Sequence, residues 1–183
     1  AIAQVFFQRT AEAFRSRDNL AGLVDDVYKR LIGYGMFPIL LLTIAGRELF
    51  IIVFGDKWAE AGTYVQITGV WLFLQFISSP MSTLTSVMEK QSQALLFNAI
   101  LFTVRLLSLV IGGLTGNIML TLALFTVSSA LCYGALCVWL NTMVGLSAGR
   151  TLFHLARCCL VGSPFLAAIA IGKWWFGLSR FPL

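Results

Sequence analysis

The chain predicts an all-α, polytopic helical membrane bundle, and three observations carry that prediction. Hydrophobic residues make up 58% of its 183 residues and charged residues only 11%, against about 45–50% and about 25% in an ordinary soluble domain. Mean hydropathy is +0.86, so too few charged groups exist to cover a water-soluble globule of this size. The apolar residues also gather into runs of about 20, the length of helix that crosses a hydrocarbon core of about 30 Å. Such runs are too long for barrel strands and lack their alternation, and a helix satisfies its own backbone hydrogen bonds in lipid.

The elements follow in order. Residues 1–7 (AIAQVFF) are apolar but too short to span, and they read as the end of an element that starts upstream in a longer protein. Leu20, Leu23, Val24, Val27 and Leu31 then recur at helical spacing, with Asp25, Asp26, Lys29 and Arg30 mainly off that stripe. This predicts a short amphipathic helix on the membrane surface, with Asp18 as its N-cap. Five spanning windows come next, at about 31–54, 63–87, 94–113, 118–140 and 158–177. The organisation is therefore 1–30, the cytoplasmic end of a truncated span plus the amphipathic helix; 31–140, a four-span lobe; 141–157, a cytoplasmic loop; and 158–183, an additional span and tail.

Loop charge sets the orientation. Arg9, Arg15, Arg17, Lys29, Arg30, Lys90, Arg150 and Arg157 fall on one face, against Lys57, Lys173, Arg180 and the helix-end Arg47 on the other. The first face is expected to be cytoplasmic. Trp58, Tyr64, Trp174 and Trp175 then lie near the outer interface and Trp139 near the inner one, whereas Trp71 lies deeper and needs another partner. The net charge of +5 does not indicate nucleic acid, because the basic residues are scattered between apolar runs and form no stripe.

Catalytic and metal-binding patterns are missing from the sequence. It has no G-x-S-x-G, P-loop or H-E-x-x-H. Cys132, Cys137, Cys158 and Cys159 form no C-x-x-C pair and read as small apolar side chains. His154 reads as a loop or interface histidine, Asp25–Asp26 as a solvated helix face, and Arg47–Glu48 as interface anchors. No enzyme, cofactor or metal is expected.

Polar groups inside the spans are more informative. Arg105 sits near the middle of the 94–113 window, where an arginine costs about 2.5–3.5 kcal/mol on insertion scales. It needs a watery cavity or an interhelical clamp, for instance to Gln75 or a backbone carbonyl. Asn98, Arg105, Ser108 and Gly112 share one helix face. In the 63–87 window Thr68, Gln75, Ser79, Ser82 and Ser86 share another, and Pro80 is placed to kink it. That stripe suits either a transport cavity or the close packing that small hydroxyl residues allow.

The run FIIVFGDKWAEAGTYVQITGVWLFLQFISSP (50–80) resembles the C-terminal half of polysaccharide and O-antigen flippases of the multidrug/oligosaccharidyl-lipid/polysaccharide exporter superfamily. Phe54, Gly55, Trp58 and Ala61 carry the pattern of a span ending in FG, a short x-x-W-x-x-A turn and a further span. AQVFFQRTAEAF (3–14) is similar to the family's V-L-F-P-A-L segment, with Gln8 where proline is common. DNLAGLVDDVYKRL, the Pro38 span and MEKQSQALLFNAILFTVRLLSLVIG also fit, although the usual glycine near Met88–Lys90 is absent. The resemblance covers about 1–140 and implies a parent of twelve to fourteen spans in two lobes around a central cavity.

Such flippases move an undecaprenyl-diphosphate-linked oligosaccharide to the outer leaflet of the bacterial inner membrane, for surface polysaccharide and lipopolysaccharide biosynthesis. The implied partners are that lipid-linked substrate, the bilayer, and polysaccharide polymerase and assembly proteins. Arginine would attract the diphosphate while amides and hydroxyls replace sugar hydration, which makes Arg105, Gln75, Asn98 and Ser79 the candidate cavity residues. The alternatives are a drug/cation antiporter of the same superfamily, which should need deep acids, a membrane-embedded polysaccharide-pathway enzyme, or an assembly subunit.

Overall fold

The computed structural model describes residues 2–16 and 19–149, together with 151 and 153. The elements are α1 (Ile2–Ser16), α2 (Leu20–Phe54), a 3₁₀ turn (Asp56–Trp58), α3 (Ala59–Met81), a single helical turn α4 (Leu84–Val87), α5 (Gln91–Thr115) and α6 (Ile118–Met143). No strand occurs among the described residues. Four stretches are long and apolar enough to cross a membrane: Leu20–Phe54, Asp56–Val87, Gln91–Thr115 and Ile118–Met143. The chain is an all-α helical membrane bundle. The expected fifth span, the cations of the 141–157 loop, His154, and Cys158 and Cys159 lie outside the described residues.

The expected surface helix and the first span are one element. Between Leu20 and Phe54 nothing stops the helix; it runs through Pro38 and departs from helical geometry at Ala45 (φ −112°, ψ 17°). Asn19, one residue on from the expected Asp18, caps it by accepting the Gly22 amide at 2.8 Å. The amphipathic stripe is real but faces protein. Val24, Tyr28, Leu31 and Ile32 are buried against Ile77 and Met81 of α3, Leu84 of α4 and Leu140 of α6, with Phe6 of α1 joining the same cluster. The polar face carries Lys29, which pairs with Asp25 at 2.6 Å one turn back.

This cluster lies at the end of the bundle that holds the 88–90 turn. It ties five elements together through large interlocking side chains, a packing stabilisation that does not depend on excluding water. The opposite end, at the Gly55 turn, is built differently. There α2 and α3 approach backbone to backbone. A Cβ on Gly62 would fall 2.5 Å from the Arg47 Cα and 2.6 Å from the Gly46 carbonyl oxygen, and one on Gly69 would strike the Thr43 hydroxyl. The Ala45 departure lies beside this crossing, and Gln66 Nε2 of α3 donates to the Ile44 carbonyl at 2.7 Å.

The connections follow from their residues. Gly55 turns the chain with φ +91°, and Gly116 closes α5 with φ +63°, values that suit glycine because it has no Cβ. Asn117 then caps α6 by accepting the Leu120 amide at 3.1 Å. Pro80 lies in the last turn of α3, which ends at Met81 before α4 resumes. Across this break Ser82, Thr83 and Thr85 donate their hydroxyls to carbonyls three residues earlier. Glu89 carries a left-handed φ of 57°, a backbone conformation that glycine adopts more readily.

Candidate functional site

The candidate residues divide between two places. Gln75 and Ser79 of α3 and Asn98 of α5 line one groove of about 200 Å³, together with Ser82, Thr85 and Tyr133. Helical periodicity explains the convergence. Gln75, Ser79 and Ser82 recur at intervals of four and three on α3, the spacing of a single face, and α5 and α6 close the groove from the other side. Phe97 and Tyr133 form one wall, with ring centroids 6.2 Å apart in an edge arrangement. The Gln75 Oε1 is shut off from solvent without a hydrogen-bond partner among the described residues. Asn98 is exposed and donates from Nδ2 to the Ala94 carbonyl at 3.0 Å, which leaves its Oδ1 as an acceptor. Thr68, expected on the same stripe, instead donates to the Tyr64 carbonyl at 2.9 Å and does not line the groove.

Arg105 does not line it either. Of the two readings left open by the sequence, the structure has the interhelical clamp, and its partner is neither Gln75 nor a backbone carbonyl. Arg105 Nε donates to Ser129 Oγ of α6 at 3.1 Å. The guanidinium carbon lies 5.1 Å from the Trp71 ring centre, 5.0 Å from Phe125 and 5.6 Å from Tyr133. All three fall within the range of about 6 Å where a cation is drawn to an aromatic face, for about 0.5–2 kcal/mol per ring. Together they are of the size needed to offset the mid-span penalty of about 2.5–3.5 kcal/mol. The depth of Trp71 is thereby explained. Its ring also meets Phe125 edge-on at 5.2 Å.

The helix face that carries Arg105 is the α5–α6 seam. One turn on from Arg105, the Ser108 and Ser128 hydroxyls are 3.1 Å apart. One turn further, Gly112 packs so closely on Thr121 that a Cβ would strike its side chain. Small and polar residues at helical spacing let the two backbones approach, as is usual between membrane helices. The Arg105 Nη2 stays buried without a hydrogen-bond partner among the described residues. Tyr133 joins the two places, since its ring faces the guanidinium and also walls the groove.

Sequence reasoning did not find Phe97, Ser129 or Tyr133. A signal for the cage existed: Phe125, Ser129 and Tyr133 recur every fourth residue and so share one face of α6. The groove itself is uncharged. Its lining offers amide and hydroxyl groups beside two aromatic rings, a set that hydrogen-bonds and stacks on polyhydroxylated molecules. Among the described residues no three His, Cys, Asp or Glu side chains gather where they could hold a metal ion. Comparison with known proteins returned no matching protein family, no matching characterised protein and no matching solved structure.

Proposed function

We propose that this chain is part of a transporter that carries a lipid-linked oligosaccharide, of the undecaprenyl-diphosphate type, from the cytoplasmic to the outer leaflet of a bacterial inner membrane for surface polysaccharide synthesis. The observation that carries this reading is the groove of Gln75, Ser79 and Asn98, an uncharged hydrogen-bonding surface in a bundle whose exposed faces are apolar. A sugar leaving water loses hydration, and amides and hydroxyls at fixed positions replace it. The family resemblance of residues 1–140 supports the same reading, as does the basic excess of the loops on the groove's side, the side expected to be cytoplasmic. Within this reading Arg105 holds α5 against α6 and fixes the Tyr133 wall.

The test is reconstitution of the complete transporter in liposomes with a lipid-linked oligosaccharide labelled in its sugar. The label should become accessible to an added glycosidase from the outside, with no covalent change to the substrate before cleavage. Replacement of both Gln75 and Asn98 by leucine should slow that appearance by about tenfold or more, equivalent to about 1.4 kcal/mol of lost substrate stabilisation. Equal rates for variant and parent, or a covalently altered substrate, would overturn the reading.

A further inference from the structure

Most polar hydrogens of the groove are already engaged. Ser78, Ser82 and Thr85 line it, and each hydroxyl donates to a backbone carbonyl three residues earlier, at 3.2, 2.7 and 2.7 Å. Asn98 donates from Nδ2 to the Ala94 carbonyl at 3.0 Å, a bond that also fixes which end of its amide is oxygen. A hydroxyl that has donated its hydrogen keeps its lone pairs, and an amide oxygen only accepts. Gln75 Oε1 is a further acceptor, enclosed without a partner among the described residues. All of these side chains therefore offer acceptors, and Ser79 adds a neutral hydroxyl that can act in either sense. No Lys, Arg or His stands in the lining. Arg105 lies outside it, with its Nε on Ser129 at 3.1 Å and its guanidinium carbon 5.6 Å from the Tyr133 ring centre. That charge weighs against a second cation in the groove, but from outside the lining it supplies no N–H to an anion there.

A surface of acceptors without a cation selects its occupant by charge. We infer that the groove takes a single neutral sugar unit, whose hydroxyls donate to Gln75 Oε1 and Asn98 Oδ1, and that it rejects uronic acids and other acidic sugars. The inference rests on the transport reading of the groove and deepens it by naming the class of sugar. A donated hydroxyl satisfies the enclosed Gln75 oxygen, which is costly to leave unpaired. A uronic acid puts a carboxylate where a neutral hexose has a hydroxymethyl group. The carboxylate only accepts, so it meets lone pairs with lone pairs and loses its hydration without gaining a cation. The apolar C–H face of a sugar ring has Phe97 and Tyr133 to lie against. At about 200 Å³ the groove is smaller than a pocket for a drug-sized ligand, roughly 300–1,000 Å³, which limits the occupant to one ring. The anionic diphosphate of a lipid carrier has no partner in this lining, so the groove serves the sugar end of the substrate alone.

Saturation-transfer NMR on the purified full-length protein tests the selection. The protein is held in phosphatidylcholine nanodiscs, whose lipids carry no net charge to bias the comparison. The probes are methyl glucoside and methyl glucuronide, which differ only in the hydroxymethyl group and the carboxylate. At neutral pH the glucoside should bind about tenfold more tightly or better, a difference of about 1.4 kcal/mol. Asn98→Arg puts a cation at an exposed position of the groove and should reverse the order, so that the glucuronide binds more tightly. Equal affinities in the parent protein, a tighter glucuronide, or a glucoside signal no greater than that of the protein with Gln75 and Asn98 both replaced by leucine would overturn the inference. So would an Asn98→Arg protein with the parent's thermal midpoint and the parent's order of affinities, because the sugar would then bind elsewhere. Failure here is separable from failure of the transport reading. Translocation of neutral and acidic oligosaccharides at equal rates discards the selection alone, whereas selective binding by a protein that moves no lipid-linked sugar discards transport alone.

Discussion

At the 88–90 end of the bundle, helices meet through Tyr28, Ile77, Met81, Leu84 and Leu140, all fully buried. At the Gly55 end, α2 and α3 meet through Gly46, Gly62 and Gly69, with almost no side chain between them. The first arrangement joins five elements at once, and the second joins a single pair. Large side chains interlock with several neighbours and resist any relative movement. A glycine crossing brings two backbones together with little side-chain bulk between them. The α5–α6 hairpin repeats the second arrangement with Gly112 against Thr121. The bundle is thus two tight hairpins that pack on each other along α3 and α6, as Trp71 on Phe125, and share a base at one end.

The contrast can be broken at either end, and the expected effects fall in order. Leu140→Ala empties part of the base and should destabilise the chain by about 2–5 kcal/mol, read as a lowered thermal midpoint in detergent micelles. A loss below about 1 kcal/mol, less than a cavity in a close-packed site normally brings, would show that the base is not what joins the hairpins. Gly62→Ala should cost about 1–3 kcal/mol by overpacking, and no second change at the Arg47 side chain should restore it, because the obstruction is backbone. Gly69→Ala sharpens the point. Its obstruction is the Thr43 side chain, so Thr43→Ala in the same protein should recover more than half of the lost stability. Gln66→Leu removes one interhelical hydrogen bond and should cost about 0.6 kcal/mol, at most about 1.7. Glu89→Gly should gain about 0.5–1 kcal/mol by relieving the left-handed backbone, seen as a raised midpoint with unchanged helical circular dichroism.

The membrane spans were legible because hydropathy acts along the chain. The windows at 63–87, 94–113 and 118–140 match α3 with α4, α5 and α6 to within about four residues, the usual latitude at helix ends. The start of α2 was legible as an amphipathic helix but not as part of a span. Its stripe of Leu20, Val24, Val27 and Leu31 has the same period whether it faces lipid headgroups or Ile77 and Leu84, and periodicity alone does not choose between them. Gln75 and Ser79 were legible as one polar face of α3 from their spacing, but Asn98 was read on the face of Arg105, and only the packing of α3 against α5 brings it to the same groove. The place of Arg105 was not. Its partners Trp71, Ser129 and Tyr133 lie on two other helices, and an aromatic cage looks, along the chain, like ordinary apolar sequence. The missing glycine near Met88–Lys90 was visible in the residues, whereas the strained φ of Glu89 was visible only in the backbone.

The hydrogen bond from Gln66 to the Ile44 carbonyl has a mechanical consequence. It lies beside the Ala45 departure in α2 and the Gly46–Gly62 crossing, so straightening α2 would pull the carbonyl away from its donor while the glycines hold the backbones in place. The last ten residues of α2 and the first ten of α3 are therefore fastened at the Gln66–Ile44 bond and at the glycine crossing as well as at the Gly55 turn, so a bend at Ala45 carries both helices of the hairpin with it.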